Sequence, residues 1–452
     1  MAKSESDDEN PRVVLFIFYY SLTKLTLTLT VMDRNADFIK DIFWYFLKDT
    51  SKYTPNNVIR KHSDKLTETG DYSVSIRPLD WAQFLPTEEW RSYRSIFCCR
   101  EDCKGLKIEN QLEHFVEHSQ KWSLQIEKAV LKNNIMCIYV KRFKEFYLTL
   151  NSVLNYPDFG CYEGEHSYAV IKMRTTPKEQ ELLTPYRCRL IENVIENITK
   201  QMNGPSKVSL YVTHKSTDVD TPEGCTQIFV GNVVSNVDNK MMNMEASDYI
   251  KKRSIDMQLM AEHKYGLRVK NEMFFKNLIQ KLGKAATTID LLEVKPSCPI
   301  KLSVTASSGR SKGAAFILYN SARISTILKK YEERVESKYY PETPPLEALC
   351  LELLTEKEEW SLLFNYIFGY PSIISRTIGE IHKTKFSLHL LCSFLNELAT
   401  TFSLYYGRIR ILTDNTPHLM PVLHARIYLV KGIQIVLGKC LAHLNIDLVD
   451  QM

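Results

Sequence analysis

The chain has 452 residues, 44% of them apolar and 25% charged, which suits two or three soluble globular domains with sizeable cores. Its net charge of +5 is only mildly basic, so the distribution of charge, not its total, has to carry any functional reading. Eleven cysteines, odd in number and scattered, exclude a regular disulfide framework and point to a cytoplasmic protein with reduced thiols.

In chain order, residues 1–12 read as a disordered tail, acidic between Glu5 and Glu9. The apolar run that follows is interrupted by Lys24 and four threonines, whereas a membrane span needs about 20 mostly apolar residues. Leu and Thr alternate over 24–31, which is strand periodicity. Residues 13–160 mix short strand-like runs with helices predicted at 38–47 and 109–131, and nothing in them specifies a role. A loop rich in Pro, Gly and Asp at 156–165 marks a boundary.

A clearer unit follows. An apolar strand at 167–173 ends at Thr175-Thr176-Pro177, and Leu183, Tyr186, Leu190, Val194 and Ile198 then recur at helical spacing. A second strand at 208–212 completes a β-α-β order that predicts a parallel sheet. A third strand is predicted at 227–234, a turn at 236–239 and a helix-rich segment over 246–292.

The remainder reads as helical throughout. Ile317, Ile324, Leu328 and Tyr331 form one amphipathic stripe, Leu391, Leu395, Leu398, Phe402 and Tyr405 a second, and Leu429, Ile433, Val436 and Leu441 a third. Pro341, Pro344 and Pro345 link the first stripe to the others. Eight Lys and Arg face only three acids between residues 361 and 445, while five Glu face Lys357 between residues 347 and 359. Positive charge is thus local, as on an RNA-binding surface.

Here the residues carry a resemblance. Tyr319, Ala322-Arg323-Ile324 and Lys329-Lys330 resemble the entry helix of the arginyl-tRNA synthetase anticodon domain. Phe394-Leu395, Leu398-Ala399, Phe402 and Tyr405-Tyr406 match its central helix. His424-Ala425-Arg426-Ile427 stands where its name-giving Asp-Ala-Leu-Arg lies, and Leu441, Leu444 and Met452 match its closing helix and terminal methionine. With Trp360, Tyr370-Pro371 and Ser375-Arg376-Thr377, these residues are most similar to the DALR anticodon-binding domain-containing protein 3 family, non-catalytic relatives of the synthetase. The resemblance implies binding to an arginine tRNA and partnership with the methyltransferase that makes 3-methylcytidine in its anticodon loop. It implies no membrane and no cofactor.

Most of the matching positions are apolar and belong to the core of any helical bundle. The exposed candidates for RNA contact are Arg323, Lys329, Arg376, Tyr406, Arg408, Arg410, His424, Arg426 and Met452. Arg426 equally suits a salt bridge inside the bundle. Adjacent Tyr405 and Tyr406 point about 100° apart on a helix, so one is expected in the core and the other is free to stack on a base.

The middle of the chain departs from the synthetase pattern. The resemblance places the synthetase's His-x-Gly-His element at the entry of the 183–202 helix, where Pro177, Lys178, Glu179, Leu182, Leu183, Thr184 and Pro185 contain no imidazole. Of its second, lysine-rich loop only Lys240-Met241 remains, so the charge-stabilising groups that activate arginine are missing. Gly is only 16 of 452 residues, with no Walker or Gly-x-Gly-x-x-Gly loop. The basic segment at 307–313 is expected to be a surface loop capping the next helix. Cys99, Cys103, His114 and His118 form a weak candidate zinc set, whose spacing fits a thiol-bearing loop and a surface helix better.

The expected fold is α/β plus all-α. A degenerate class I aminoacyl-tRNA synthetase-like core over 161–300 follows the 13–160 α+β region, and a DALR anticodon-binding helical bundle occupies 301–452. The expected function is a non-catalytic tRNA-binding adaptor for the methyltransferase, the alternative being a scaffold that uses the bundle for protein contacts.

Overall fold

The computed structural model describes residues 33–48, 58–85, 88–161, 166–171, 181–200, 202, 204–215, 221–265, 272–303 and 311–449. The expectations for the 1–12 tail, the 24–31 strand, the Thr175-Thr176-Pro177 break, the basic segment before Ser311, and Met452 lie outside them.

Among the described residues the first helix, α1 (Arg34–Leu47), starts where the Asp33 carboxylate accepts from the amides of Asn35 and Ala36 at 3.1 and 3.2 Å. Phe38, Ile42, Phe43 and Phe46 then fall on one face and are buried. They lie in one core with an antiparallel sheet of order β1-β2-β4-β3, formed by Ile59–Lys61, Tyr72–Ser75, Ile126–Lys132 (β3) and Ile135–Val140 (β4).

The helix expected over 109–131 is corrected. It ends at His118 (α2, Ile108–His118), and its second half is the strand β3. Asn133 and Asn134 both adopt positive φ, 48° and 61°, which closes the two-residue turn of a β3–β4 hairpin. Ladder bonds to β4 outweigh the helical spacing of the apolar residues. Helix α3 (Arg142–Asn155) follows.

In the middle unit, β5 (His166–Ile171), α4 (Leu183–Thr199) and β6 (Ser206–Thr213) form the expected parallel crossover, and β7 (Cys225–Phe229) pairs parallel to β6. The strand expected over 227–234 breaks after Phe229. Gly231 there presses on another segment so closely that a Cβ would lie 2.3 Å from the Cys298 carbonyl carbon. The chain restarts as β8 (Val233–Ser235), paired parallel with β9 (Ile300–Leu302). Between them, α5 (Ala246–Tyr265) and α6 (Glu272–Leu292) form a hairpin, with buried Arg253 bonded to Asp290 and Asp256 at 2.7 and 2.9 Å.

The C-terminal bundle comprises α7 (Ser311–Glu336), α8 (Lys357–Ser361), α9 (Tyr370–Ile378), α10 (His389–Arg408) and α11 (Met420–His443). It is not helical throughout. Residues 337–356 are irregular with two 3-10 turns, as their prolines require, and Leu362–Ile367 widens into a π-helical turn. Helix α11 is long and apolar enough to cross a membrane by length and composition alone. In the bundle its Leu429, Ile433 and Val436 are fully buried, so it is the core helix.

The N-terminal unit docks on the bundle where Trp360 donates to buried Asp71 at 2.8 Å. Lys61 donates to the Phe364 carbonyl in the π turn at 2.9 Å and lies over the Phe364 ring. Helix α3 packs along α11.

Candidate nucleic-acid interface

Glu359, fully buried on α8, is the polar node of the bundle. One carboxylate oxygen accepts from the Tyr405 hydroxyl at 2.9 Å and from Arg426 Nε at 2.8 Å. The other accepts from the Glu356 amide at 3.0 Å in a capping box. Burial first, then the Glu359 charge, push the Tyr405 hydroxyl far above its ordinary range. Three helices, α8, α10 and α11, therefore meet at one carboxylate.

This geometry sorts the RNA-contact candidates. Arg426 is 14% exposed and bound to Glu359, so it is the salt-bridge partner within the bundle and not an exposed contact. His424 is also corrected, because its side chain is buried against the Tyr331 ring. Its Nε2 has no hydrogen-bond partner, and burial lowers its pKa. Both face inward because α11 supplies the bundle core. Of the tyrosine pair, Tyr405 is the core member and Tyr406 is exposed.

The others stay at the surface. Arg323 lies between two rings, 4.6 Å from the Tyr319 centroid and 4.4 Å from that of Tyr406. It is held there by Asn320 Oδ1 at 3.1 Å and Ser403 Oγ at 3.5 Å. The structure thus joins Arg323 and Tyr406, from α7 and α10, into one cation–aromatic stack. Arg408 pairs with Glu358, and Arg410 with Asp414 at 2.9 Å. Arg376 is exposed in the last turn of α9, and neither it nor exposed Lys329 forms an ion pair with a described residue. Arg376 and Lys329 stand apart from the stack.

A further patch was not read from the sequence. Lys431 and Gln434 of α11 join Ser325 and Lys329 of α7 around an open groove of about 320 Å³. Their helical spacing is visible in the sequence, yet only the packing of α7 on α11 shows that the two sets face each other.

Elsewhere the candidate zinc residues are engaged in other contacts. The Tyr45 hydroxyl is 2.9 Å from His114 Nδ1, and Trp122 donates to His118 Nδ1 at 3.1 Å. Burial raises the Cys99 thiol pKa to about 11. Among the described residues no group of three or more such side chains is arranged to hold a metal.

In the α/β unit, Lys240 and Met241 are exposed. The entry of α4 is tied to that of α5 by backbone bonds from Leu183 to Met244 and from Ala246 to Glu181, at 3.0 and 2.8 Å. One turn into α4, Arg187 is fully buried and donates to the carbonyls of Gly231, Cys298 and Leu291 at 2.6, 2.8 and 3.0 Å. Two longer bonds reach Val294 and Lys295. Burial lowers its pKa to about 10.

Residues 317–452 match the DALR anticodon binding domain. Over 221 residues the chain is 29% identical to the DALR anticodon-binding domain-containing protein 3 of Danio rerio, covering 47% of this chain and 39% of the relative. Over 238 residues it is 29% identical to an arginine–tRNA ligase of Borrelia hermsii, covering 52% and 35%. The arginyl-tRNA synthetase of Thermus thermophilus superposes with a TM-score of 0.59 at 10% identity, over 93% of this chain and all of that one. The fold is therefore that of a class I synthetase body carrying a C-terminal DALR domain. Within that class, the relatives it resembles include the DALR anticodon-binding domain-containing protein 3 sequences, to which it is similar over about half its length. The matched stretch spans about two-fifths of the length of these relatives.

Proposed function

We propose that this chain is a non-catalytic tRNA-binding adaptor, which grips the anticodon arm of an arginine tRNA with its helical bundle and presents the loop to a 3-methylcytidine tRNA methyltransferase. The supporting observation is the surface stack of Tyr319, Arg323 and Tyr406 on a bundle that matches an anticodon-binding domain. Guanidinium and aromatic faces are the groups that hold unpaired bases, while exposed Arg410 and Arg376 elsewhere on the bundle would attract phosphates. The methyltransferase partnership and the choice of an arginine tRNA rest on the family resemblance. Holding the tRNA beside an enzyme raises its effective concentration there, up to about millimolar for a short tether. A non-catalytic role is supported by the lack of any His-x-Gly-His in the 452 residues. A cytoplasmic location is supported by its eleven cysteines, odd in number and scattered along the chain.

Filter binding of an unfractionated tRNA pool by the full chain tests the reading. Retention should fall steeply and linearly on a plot of log affinity against log salt. Methylation of an arginine tRNA by the methyltransferase should rise when the chain is added, and arginine-dependent ATP–pyrophosphate exchange should be absent. Failure to retain tRNA at low salt sinks the proposal in favour of the protein scaffold. Exchange activity removes the non-catalytic part.

A further inference from the structure

The groove between α7 and α11 has the composition of a nucleotide site. Its apolar lining comes from Leu328, Ile435 and, on α3, Leu154. Its rim carries two hydrogen-bonding groups, Ser325 and Gln434, already aligned with the amide 3.4 Å from the hydroxyl. Two ammonium groups stand beside them. Neither Lys329 nor Lys431 forms an ion pair with any described residue, and Lys431 is directed over the Tyr428 ring, 5.5 Å from its centroid. Glu332 also lines the groove but lies beyond ion-pair distance of both lysines. Two ammonium groups against one carboxylate leave the groove positive on balance, and Glu332 adds an acceptor for a base amino group.

Volume and chemistry agree. At about 320 Å³ the groove is at the small end of ligand sites and too small for a helix or a folded domain. Apolar side chains can accept a base face, an amide and a hydroxyl read a base edge, and two lysines meet the flanking phosphates. Residues 325 and 332 point to the side of α7 away from Arg323, at 3.6 residues per turn, so the groove is separate from the stack.

We propose that this groove receives a single unpaired nucleotide of the bound RNA, with Gln434 and Ser325 on the base edge and Lys329 and Lys431 on its phosphates. The inference rests on the tRNA-binding reading and adds a second contact site on another flank of the same helix.

Two measurements on the full chain test it. In the first, a tRNA transcript carrying 4-thiouridine is irradiated with the unaltered protein and the adduct is mapped. An adduct on the peptide containing Lys431–Ile435 is expected. In the second, filter binding compares the wild type with the Lys329→Ala/Lys431→Ala double variant and with Gln434→Ala. The double variant should weaken tRNA binding roughly tenfold and reduce the salt slope by about 0.7 per phosphate lost. Gln434→Ala should weaken binding with the slope unchanged. If the wild type retains tRNA, but no adduct maps to the groove and both variants bind like wild type, the groove is ruled out and the adaptor reading survives. If the wild type retains no tRNA, both fall. Crosslinking uses the unaltered chain, so a variant that misfolds leaves the proposal decidable.

Discussion

The α/β unit and the edge of the bundle use the same side chain in opposite ways. Arg187 is fully buried, donates to five backbone carbonyls and, among the described residues, has no carboxylate partner. Arg410 pairs with Asp414 in a bridge whose two side chains are 69% and 67% exposed. Arg426 lies between these extremes, nearly buried and held by a carboxylate. The carbonyls around Arg187 come from the end of α6, the turn at Gly231 and the segment before β9, so its guanidinium fixes loops that no regular hydrogen-bond ladder holds. Charge in the core organises the backbone. Charge at the rim stays in solvent, paired only at the surface.

The largest effect should follow loss of the buried guanidinium. Arg187→Met keeps the chain's reach but strands carbonyls that accepted charged hydrogen bonds, and urea unfolding should show a loss of about 4 kcal/mol or more. A loss below 1 kcal/mol would mean water satisfies those carbonyls and the clamp is incidental. Next is Glu359→Gln, which leaves Arg426 nearly buried without its counter-charge and should cost about 3 kcal/mol. The Glu359→Gln/Arg426→Met double variant should recover part of that loss, because the uncompensated charge is then gone.

These two sites also show how far the sequence was legible. Helices α1 and α10 announce themselves by periodicity, since each buries one face, α4 and α11 are buried over most of their circumference, and the β-α-β order of β5, α4 and β6 follows from apolar runs separated by a helix. The hairpin at Asn133-Asn134 was hidden because the preceding helix and β3 share one apolar spacing, and only the positive φ of both asparagines separates them. The break at Gly231 depends on Cys298, remote in sequence. Among the site residues, Arg323 and Tyr406 could be named from the resemblance, but their stacking needs α7 beside α10. His424 and Arg426 sit in a polar tetrapeptide yet face the core, because an otherwise apolar helix tolerates them where Tyr331 and Glu359 receive them.

A smaller effect is expected from pH. His443 accepts from or donates to the Tyr370 hydroxyl through Nε2 at 2.9 Å, near the end of α11, where Asn197 of α4 bonds the His443 carbonyl at 3.3 Å. Burial, with the nearby Lys439 charge, lowers its pKa from 6.5 to about 4. The folded state thus disfavours the proton. Its contribution is fully present above pH 6.5 and is lost as the pH falls towards 4, amounting to about 3 kcal/mol. Stability measured across that window should decline, and His443→Gln should flatten this part of the decline. An identical slope in the variant would assign the acid sensitivity to other groups.

The smallest change in stability belongs to the rim, where the effect moves to binding. Arg410→Ala should alter stability by less than about 0.5 kcal/mol, because an exposed bridge contributes little. Arg323 separates charge from shape more sharply. Arg323→Lys keeps the positive charge but loses the planar group lying between Tyr319 and Tyr406. If the stack receives a base, this variant should bind tRNA more weakly while its salt slope stays that of the wild type. Arg410→Lys should change neither, since a phosphate accepts either cation. Should Arg323→Lys instead bind like wild type, the stack acts only as a point charge, and the buried and exposed cations of this protein differ in location but not in the precision with which they are used.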